Sequence, residues 1–92
     1  MEINFTKIGN NYVSEFQAAG AFNLHIEGVA EGDIKVYQRT TDNGEFARVK
    51  ESGPVALFNK VYDCDFSAAV YPKYIKVVCP ERPAKAVVTT NA

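Results

Sequence analysis

The chain contains little of what metal and redox sites are made from, because its 92 residues include one histidine and two cysteines. His25, the single histidine, excludes a metal site built from several histidines within one chain. Cys64 and Cys79 would supply half of a four-cysteine zinc site, and they belong to no C-x-x-C pair. We expect buried thiols that pack as small hydrophobic groups, or a disulfide if the two strands are neighbours. The N-terminus carries no secretory signal, which favours reduced cysteines.

An excess of charge of one sign is also absent. The chain has 10 Lys and Arg residues against 11 Asp and Glu residues, a net charge of -1, and the two signs are mixed along it. Because non-specific nucleic-acid binding needs a concentrated basic face, we expect no nucleic-acid partner. No apolar run approaches the ~20 residues of a membrane-spanning helix, so we expect no membrane partner. The hydrophobic content of 47% is typical of one globular domain, residues 1–92.

The sequence motifs of nucleotide binding and catalysis are missing as well. No G-x-G-x-x-G, P-loop, G-x-S-x-G or H-E-x-x-H motif occurs. We therefore predict a protein that is not an enzyme and that uses no cofactor.

What the chain does contain is alternation of apolar and polar residues with period two, which predicts β-strands. Two such runs form a predicted hairpin over Ile34–Lys50, joined at Asp42-Asn43-Gly44, where Asn and Gly tolerate the positive φ angles of tight turns. Further strands are predicted near residues 3–8, 12–18, 22–27, 55–58, 61–66, 74–79 and 84–90. Turn signals recur about every 8–12 residues. We predict an all-β fold, a single antiparallel β-sandwich or jelly roll of about eight short strands.

Two carboxylates are the strongest candidates for site chemistry. Asp63 and Asp65 stand two positions apart on one predicted strand, so they point to one face about 7 Å apart. With loop carbonyls and a third acidic residue they could bind Ca²⁺, and their separation also lies within the range of inverting glycosidases. We favour the alternative, a solvated acidic face paired with lysines such as Lys60 or Lys73, and we predict no resident metal.

Several polar and aromatic side chains are predicted to lie on the surface. His25 falls on the polar side of its strand, and we expect a solvated histidine there. Tyr37 lies between two basic residues of the hairpin, while Tyr71 and Tyr74 flank Pro72-Lys73. Tyrosines ringed by charge can stack on sugars or anchor a protein contact. The alternative, which we favour, is that these tyrosines cover the edge of the sandwich.

The C-terminal segment is the most suggestive feature for assembly. Pro80-Glu81-Arg82-Pro83 is a stiff break, because each proline fixes φ and lacks an N–H group. Beyond it, residues 84–92 are a possible C-terminal strand or arm that includes Val87 and Val88. This segment can add to the open sheet edge of a neighbouring subunit, giving a homo-oligomer, or it can complete its own sheet. We favour the second alternative, although both remain open at this point.

Two family resemblances follow from these elements. The run Ile34–Phe46, a strand followed by an Asp-x-Gly turn and an aromatic residue, and the late strand Lys73–Val78 resemble the strand order of galactose-binding-like β-sandwiches. This first resemblance implies a small carbohydrate-binding module, for which Tyr37, Tyr71 or Tyr74 would be the stacking platform.

The chain as a whole also resembles the small β-sandwich proteins that accompany capsid and tail genes in tailed phages, including the crAss-like phages. The resemblance lies in small size, no secretion signal, no catalytic site and neat alternating runs such as Phe22–Glu27. It implies a virion accessory subunit, such as a capsid decoration protein, that binds a larger protein lattice in many copies and assembles in the host cytoplasm. We expect this non-enzymatic structural function first and the glycan-binding module as the alternative.

Overall fold

The computed structural model describes residues 1–18, 20–30, 33–39, 43–49, 55–57, 60–66 and 73–90, with the backbone alone at 55–57 and 73. Within these ranges the chain forms nine strands: β1 (Thr6–Ile8), β2 (Asn11–Ala18), β3 (Phe22–Glu27), β4 (Lys35–Arg39), β5 (Ala47–Arg48), β6 (Val55–Leu57), β7 (Val61–Phe66), β8 (Lys73–Cys79) and β9 (Lys85–Thr90). None of the described residues belongs to a helix long and apolar enough to cross a bilayer. The predicted all-β fold is confirmed.

The strands form two antiparallel sheets that pack together as a β-sandwich. The five-stranded sheet has the order β1-β2-β8-β4-β5, and the four-stranded sheet has the order β6-β7-β3-β9. Strands that are distant in sequence are neighbours in both sheets, because β2 pairs with β8 and β3 pairs with β9. The extents of the domain are 34 × 29 × 22 Å, and the shortest suits two stacked sheets with their outer side chains.

The core lies between the sheets and consists of the inward-facing member of each alternating pair. Leu24 and Ile26 of β3 are fully buried from the four-stranded sheet, and Val36 of β4 with Ile75 and Val77 of β8 are at most 2% exposed from the five-stranded sheet. The buried hydrophobic residues are Phe5, Ala18, Phe22, Leu24, Ile26, Val29, Ile34, Val36, Tyr62, Cys64, Phe66, Ile75, Val77, Cys79, Ala86 and Val88. Period-two alternation therefore identified correctly the apolar side of β2, β3, β4, β7 and β8.

The two cysteines lie in the core but in different sheets. Cys64 belongs to β7 and Cys79 to β8, and no disulfide joins them. Of the two alternatives, buried thiols or a disulfide, the structure contains the buried thiols. Burial, and secondly the charge of Glu81, raises the pKa of the Cys79 thiol to about 12.

The strand pairing of the predicted hairpin is confirmed. β4 and β5 pair with Tyr37 opposite Arg48 and Gln38 opposite Ala47. The predicted turn at Asp42-Asn43-Gly44 lies partly outside the described residues, because residues 40–42 are not among them. Phe46, just before β5, packs on the outer face of the sheet against Arg39 and Lys76.

The C-terminal segment completes the chain's own sheet. β9 pairs with β3 along its whole length, and the side chains of Ala86 and Val88 are buried in the core. On the other side of β9, Val88 N–H donates to Met1 O at 2.8 Å and Ile3 N–H donates to Ala86 O at 3.1 Å. Residues 1–3 thus cover the edge that β9 would otherwise present to a neighbouring strand.

Candidate functional site

Polar side chains of β3 and β7 meet on the outer face of the four-stranded sheet. The register places His25 opposite Asp63 and Asn23 opposite Asp65. These residues point outward because their neighbours along each strand point into the core. Together with Glu27 they form what we call the carboxylate cluster: Asn23, His25, Glu27, Asp63 and Asp65.

Hydrogen bonds join all five side chains of the carboxylate cluster. Asn23 Nδ2 donates to Asp63 Oδ1 at 2.6 Å and to Asp65 Oδ1 at 2.9 Å. His25 Nδ1 lies 3.0 Å from Asp63 Oδ2, and His25 Nε2 lies 2.7 Å from Glu27 Oε2. An imidazole ring can donate from both nitrogens only in its protonated form. The geometry therefore suits an imidazolium held between two carboxylates.

The pKa shifts within the cluster follow from these bonds. The hydrogen bonds to Glu27 and then Asp63 raise the pKa of His25, against a smaller opposing effect of burial. The hydrogen bond from Asn23, and secondly that from His25, lowers the pKa of Asp63. The pKa of Glu27 is lowered chiefly by its hydrogen bond with His25. Each shift favours the charged form of its group.

Two predictions about this face need correction. The His25 side chain is 27% exposed and bonded to two carboxylates, so it is not the solvated histidine that we expected. Asp63 and Asp65 bond to cross-strand partners rather than to Lys60, which is 3.6 Å from Glu81 instead. Lys73 keeps its backbone place in β8, but its side chain lies outside the described residues. The side chains of directly opposite residues on paired strands lie closer to each other than to side chains at the strand ends. Asp63 and Asp65 therefore bond to Asn23 and His25.

The carboxylate cluster does not have the form of a metal site. Among the residues that the structure describes, no group of three or more His, Cys, Asp or Glu side chains is arranged to hold a metal ion. Both oxygens of Asp63 and both ring nitrogens of His25 already take part in hydrogen bonds within the cluster. Chemically, the cluster is a cross-strand polar network that gives this face a negative charge.

A second group of side chains lies on the outer face of the five-stranded sheet. Tyr37 of β4 is opposite Lys76 of β8, and Arg39 of β4 is opposite Tyr74 of β8. Phe46, just before β5, completes the group by contacting both cations. We call this group the aromatic-cation face: Tyr37, Arg39, Phe46, Tyr74 and Lys76. All five side chains are half-buried.

Cations and rings alternate across the aromatic-cation face. Arg39 Cζ lies 4.5 Å from the ring centroid of Phe46 and 5.2 Å from that of Tyr74. Lys76 Nζ lies 4.5 Å from the centroid of Phe46 and 5.1 Å from that of Tyr37. Phe46 therefore lies within cation-π distance of both cations. Arg39 Nη1 also donates to Gly44 O at 3.3 Å, whereas its Nε atom is buried without a hydrogen-bond partner in the described part of the chain.

The surroundings of this face are mostly basic. Lys35 and Arg48 lie on the same side of the sheet, and Glu15 is the acidic residue of β2 opposite Lys76. A shallow depression beside the face is lined by Asn11, Asp33, Lys35, Tyr37, Val78 and Pro80. The two outer faces of the sandwich thus differ in character, one basic and aromatic, the other acidic and polar.

Comparison with known proteins does not assign the chain to a family. No protein-family model, curated protein or solved structure matches the chain. The resemblances to galactose-binding-like sandwiches and to phage virion proteins therefore remain predictions.

The structure brings together only part of the predicted interaction residues. Tyr37 and Tyr74 share the aromatic-cation face, while Tyr71 lies outside the described residues. Val87 lies on the outer side of β9 opposite His25, whereas Val88 is 2% exposed and belongs to the core. Sequence reasoning missed Phe46, although an aromatic residue two positions after Asn-Gly in a polar stretch was a signal that it needed a partner.

Proposed function

We propose that this domain is a non-enzymatic interaction module, an accessory subunit of a tailed-phage virion that docks on a larger protein lattice through the aromatic-cation face. The observation that carries the proposal is the contact of Phe46 with both Arg39 and Lys76. This contact holds aromatic rings and cationic groups next to one another on the outer face of the five-stranded sheet.

The chemistry of the aromatic-cation face suits protein recognition. Tyrosine, phenylalanine and arginine are enriched at protein interfaces. The two aromatic residues bury a large area with few rotatable bonds, and the planar guanidinium of arginine stacks on rings and forms paired hydrogen bonds with carboxylates. Here the cations rest against rings, so less side-chain entropy remains to be lost on binding. The net positive charge favours a partner surface rich in carboxylates. We therefore name the occupant as an acidic patch of the lattice protein.

The test is the copy number of this chain in particles. Quantitative mass spectrometry of purified particles from the source is expected to find it at a ratio near that of the shell subunit for a decoration role, or at a few copies for a tail role. Particles assembled with the double variant Arg39→Gln/Lys76→Gln should lose the chain. The control Lys7→Gln/Lys60→Gln removes the same charge elsewhere and should retain it. Complete absence of the wild-type chain from particles refutes the proposal.

A carbohydrate-binding module is the second candidate. The observation in its favour is that Tyr37 and Tyr74 lie on one face, with Tyr37 at the rim of a depression. One side of each ring is contacted by a cation, which leaves less open ring surface for a sugar than a stacking platform needs. Binding on a glycan array that is lost with alanine at Tyr37, Tyr71 and Tyr74 would support this function. Array binding that survives all three substitutions excludes the stacking mechanism.

A further inference from the structure

The two outer faces of the sandwich carry opposite charge. On the five-stranded sheet, the outward charged residues of β2, β4, β5 and β8 are Glu15, Lys35, Arg39, Arg48 and Lys76. On the four-stranded sheet, the outward acidic residues of β3 and β7 are Glu27, Asp63 and Asp65. Lys85 of β9, opposite Glu27, is the outward cation there, and His25 adds charge when protonated. One face therefore offers cations where the other offers carboxylates.

The charged groups on the two faces also have similar spacing. Arg39 and Lys76 occupy diagonal positions on the paired strands β4 and β8. Glu27 and Asp63 occupy diagonal positions on the paired strands β3 and β7. Diagonal neighbours in an antiparallel pair are about 7–8 Å apart in both cases. Two cations of one copy can therefore meet two carboxylates of another copy at the same time.

The faces are large enough for a specific contact. The two longer extents of the domain are 34 and 29 Å, and a standard protein interface buries about 800 Å² on each partner. Edge-to-edge pairing at β9 is blocked, because residues 1–3 already occupy the hydrogen-bonding edge of that strand. Face-to-face contact is the mode that the charge pattern favours.

We infer that copies of this chain associate head to tail, with the aromatic-cation face of one copy on the carboxylate cluster of the next. The inference rests on the proposed function in one respect, since both use the aromatic-cation face for docking. A copy docked on the lattice presents its carboxylate cluster outward and receives a further copy. Because the two contacting surfaces differ, the association is heterologous and extends as a stack.

Protonation of His25 opposes this association. The charged groups around the ring are Glu27 on its own strand, Asp63 and Asp65 on β7, and Lys85 on β9. When His25 loses its proton, the face becomes more negative and attracts the cationic face of the next copy more strongly. Stacking therefore strengthens as the pH rises through the raised pKa of His25.

The experiment is sedimentation velocity of the full chain at concentrations up to about 1 mM, with low and high NaCl. The wild type should form species larger than dimers, and raising the salt from about 0.05 to 0.5 M should reverse this because screening weakens charge pairs. Glu27→Gln/Asp63→Asn and Arg39→Gln/Lys76→Gln should each weaken association by about tenfold or more. The control Lys7→Gln/Lys60→Gln should associate as the wild type does.

A mixture of the two face variants is the decisive sample. Each variant keeps the face that the other has lost, so an equimolar mixture should give 1:1 dimers that grow no further. A wild type that stays monomeric at low salt overturns the inference, and so does association that survives both variants. Circular dichroism checks that each variant is folded, and the salt dependence of the wild type decides the matter if one is not.

The outcomes separate this inference from the proposed function. Glu27→Gln/Asp63→Asn should still enter particles, because the first copy docks through its other face. A chain that is monomeric alone yet present in particles refutes stacking only. A chain that stacks but is absent from particles refutes the virion function only.

Discussion

Replacing Gly28 with alanine should destabilise the domain more than replacing Gly9 or Gly20 with alanine. Gly28 directly follows β3 and has a φ of +95°, and a Cβ atom there would lie 2.9 Å from Ala84 N and 3.0 Å from Ala84 Cβ. A positive φ costs an alanine about 1–2 kcal/mol. Ala84 N–H donates to Glu27 O at 2.8 Å, and displacing that bond adds about 0.5–1.5 kcal/mol. The expected loss is about 1.5–3.5 kcal/mol, or about 6–28 °C in Tm.

Two other glycines provide matched controls, to be measured with Gly28→Ala by urea unfolding followed by circular dichroism. Gly9 has a φ of +63° and nothing within 4 Å of an added Cβ, so Gly9→Ala should cost about 1 kcal/mol. Gly20 has neither restriction, and Gly20→Ala should be neutral or stabilising by up to about 1 kcal/mol. Adding Ala84→Gly to Gly28→Ala should recover part of the loss. The reasoning is refuted if Gly28→Ala costs no more than Gly9→Ala.

Three further changes follow from the same structure. Protonated His25 stabilises the fold fully below its unfolded-state pKa of 6.5, and this stabilisation is lost as the pH rises through its higher folded-state pKa. His25→Gln should therefore remove this pH dependence of the unfolding free energy, measured by urea unfolding between about pH 6 and pH 9. Phe46→Ala should lower the unfolding free energy by about 1–2 kcal/mol, because it removes two cation-π contacts, and Phe46→Leu should restore only the apolar part. Deleting residues 84–92 should abolish the cooperative thermal transition, because it removes β9 with buried Ala86 and Val88.

Each of these expectations has a contrary result. An unchanged pH profile in His25→Gln would mean that the ring is not the group that titrates. A Phe46→Leu variant as stable as the wild type would show that the ring contributes nothing beyond its apolar bulk. A cooperative transition in the truncated chain would show that the remaining strands suffice and that the C-terminal strand is dispensable.

Most of the fold could be predicted from the alternation of apolar and polar residues. Burial on one side of each strand is a local property of the sequence, so the inward positions of Leu24, Ile26, Ile75 and Val77 could be assigned before any pairing was known. The contacts of Phe46 could not be assigned in this way. They involve Arg39 of β4 and Lys76 of β8, and these two strands are neighbours although they are distant in the sequence.

The carboxylate cluster was only half predictable. The common face of Asp63 and Asp65 follows from their spacing on one strand. Their bonds to Asn23 and His25 depend on the pairing of β3 with β7 in one particular register, and these strands are separated by β4, β5 and β6 in the sequence. Single-sequence reasoning has no access to that register, so the partners of His25 could not be predicted.

The two buried cysteines give each sheet its own chemical reporter of opening motions. Cys64 sits in the four-stranded sheet and Cys79 in the five-stranded sheet, and neither sulfur is open to solvent in the closed sandwich. A pKa near 12 for Cys79 against an ordinary 9.0 means that its reactive thiolate is about a thousandfold scarcer at neutral pH. Its alkylation rate therefore measures how often that sheet opens. With Cys64→Ser and Cys79→Ser, the opening free energies of the two sheets can be measured separately, without any added label.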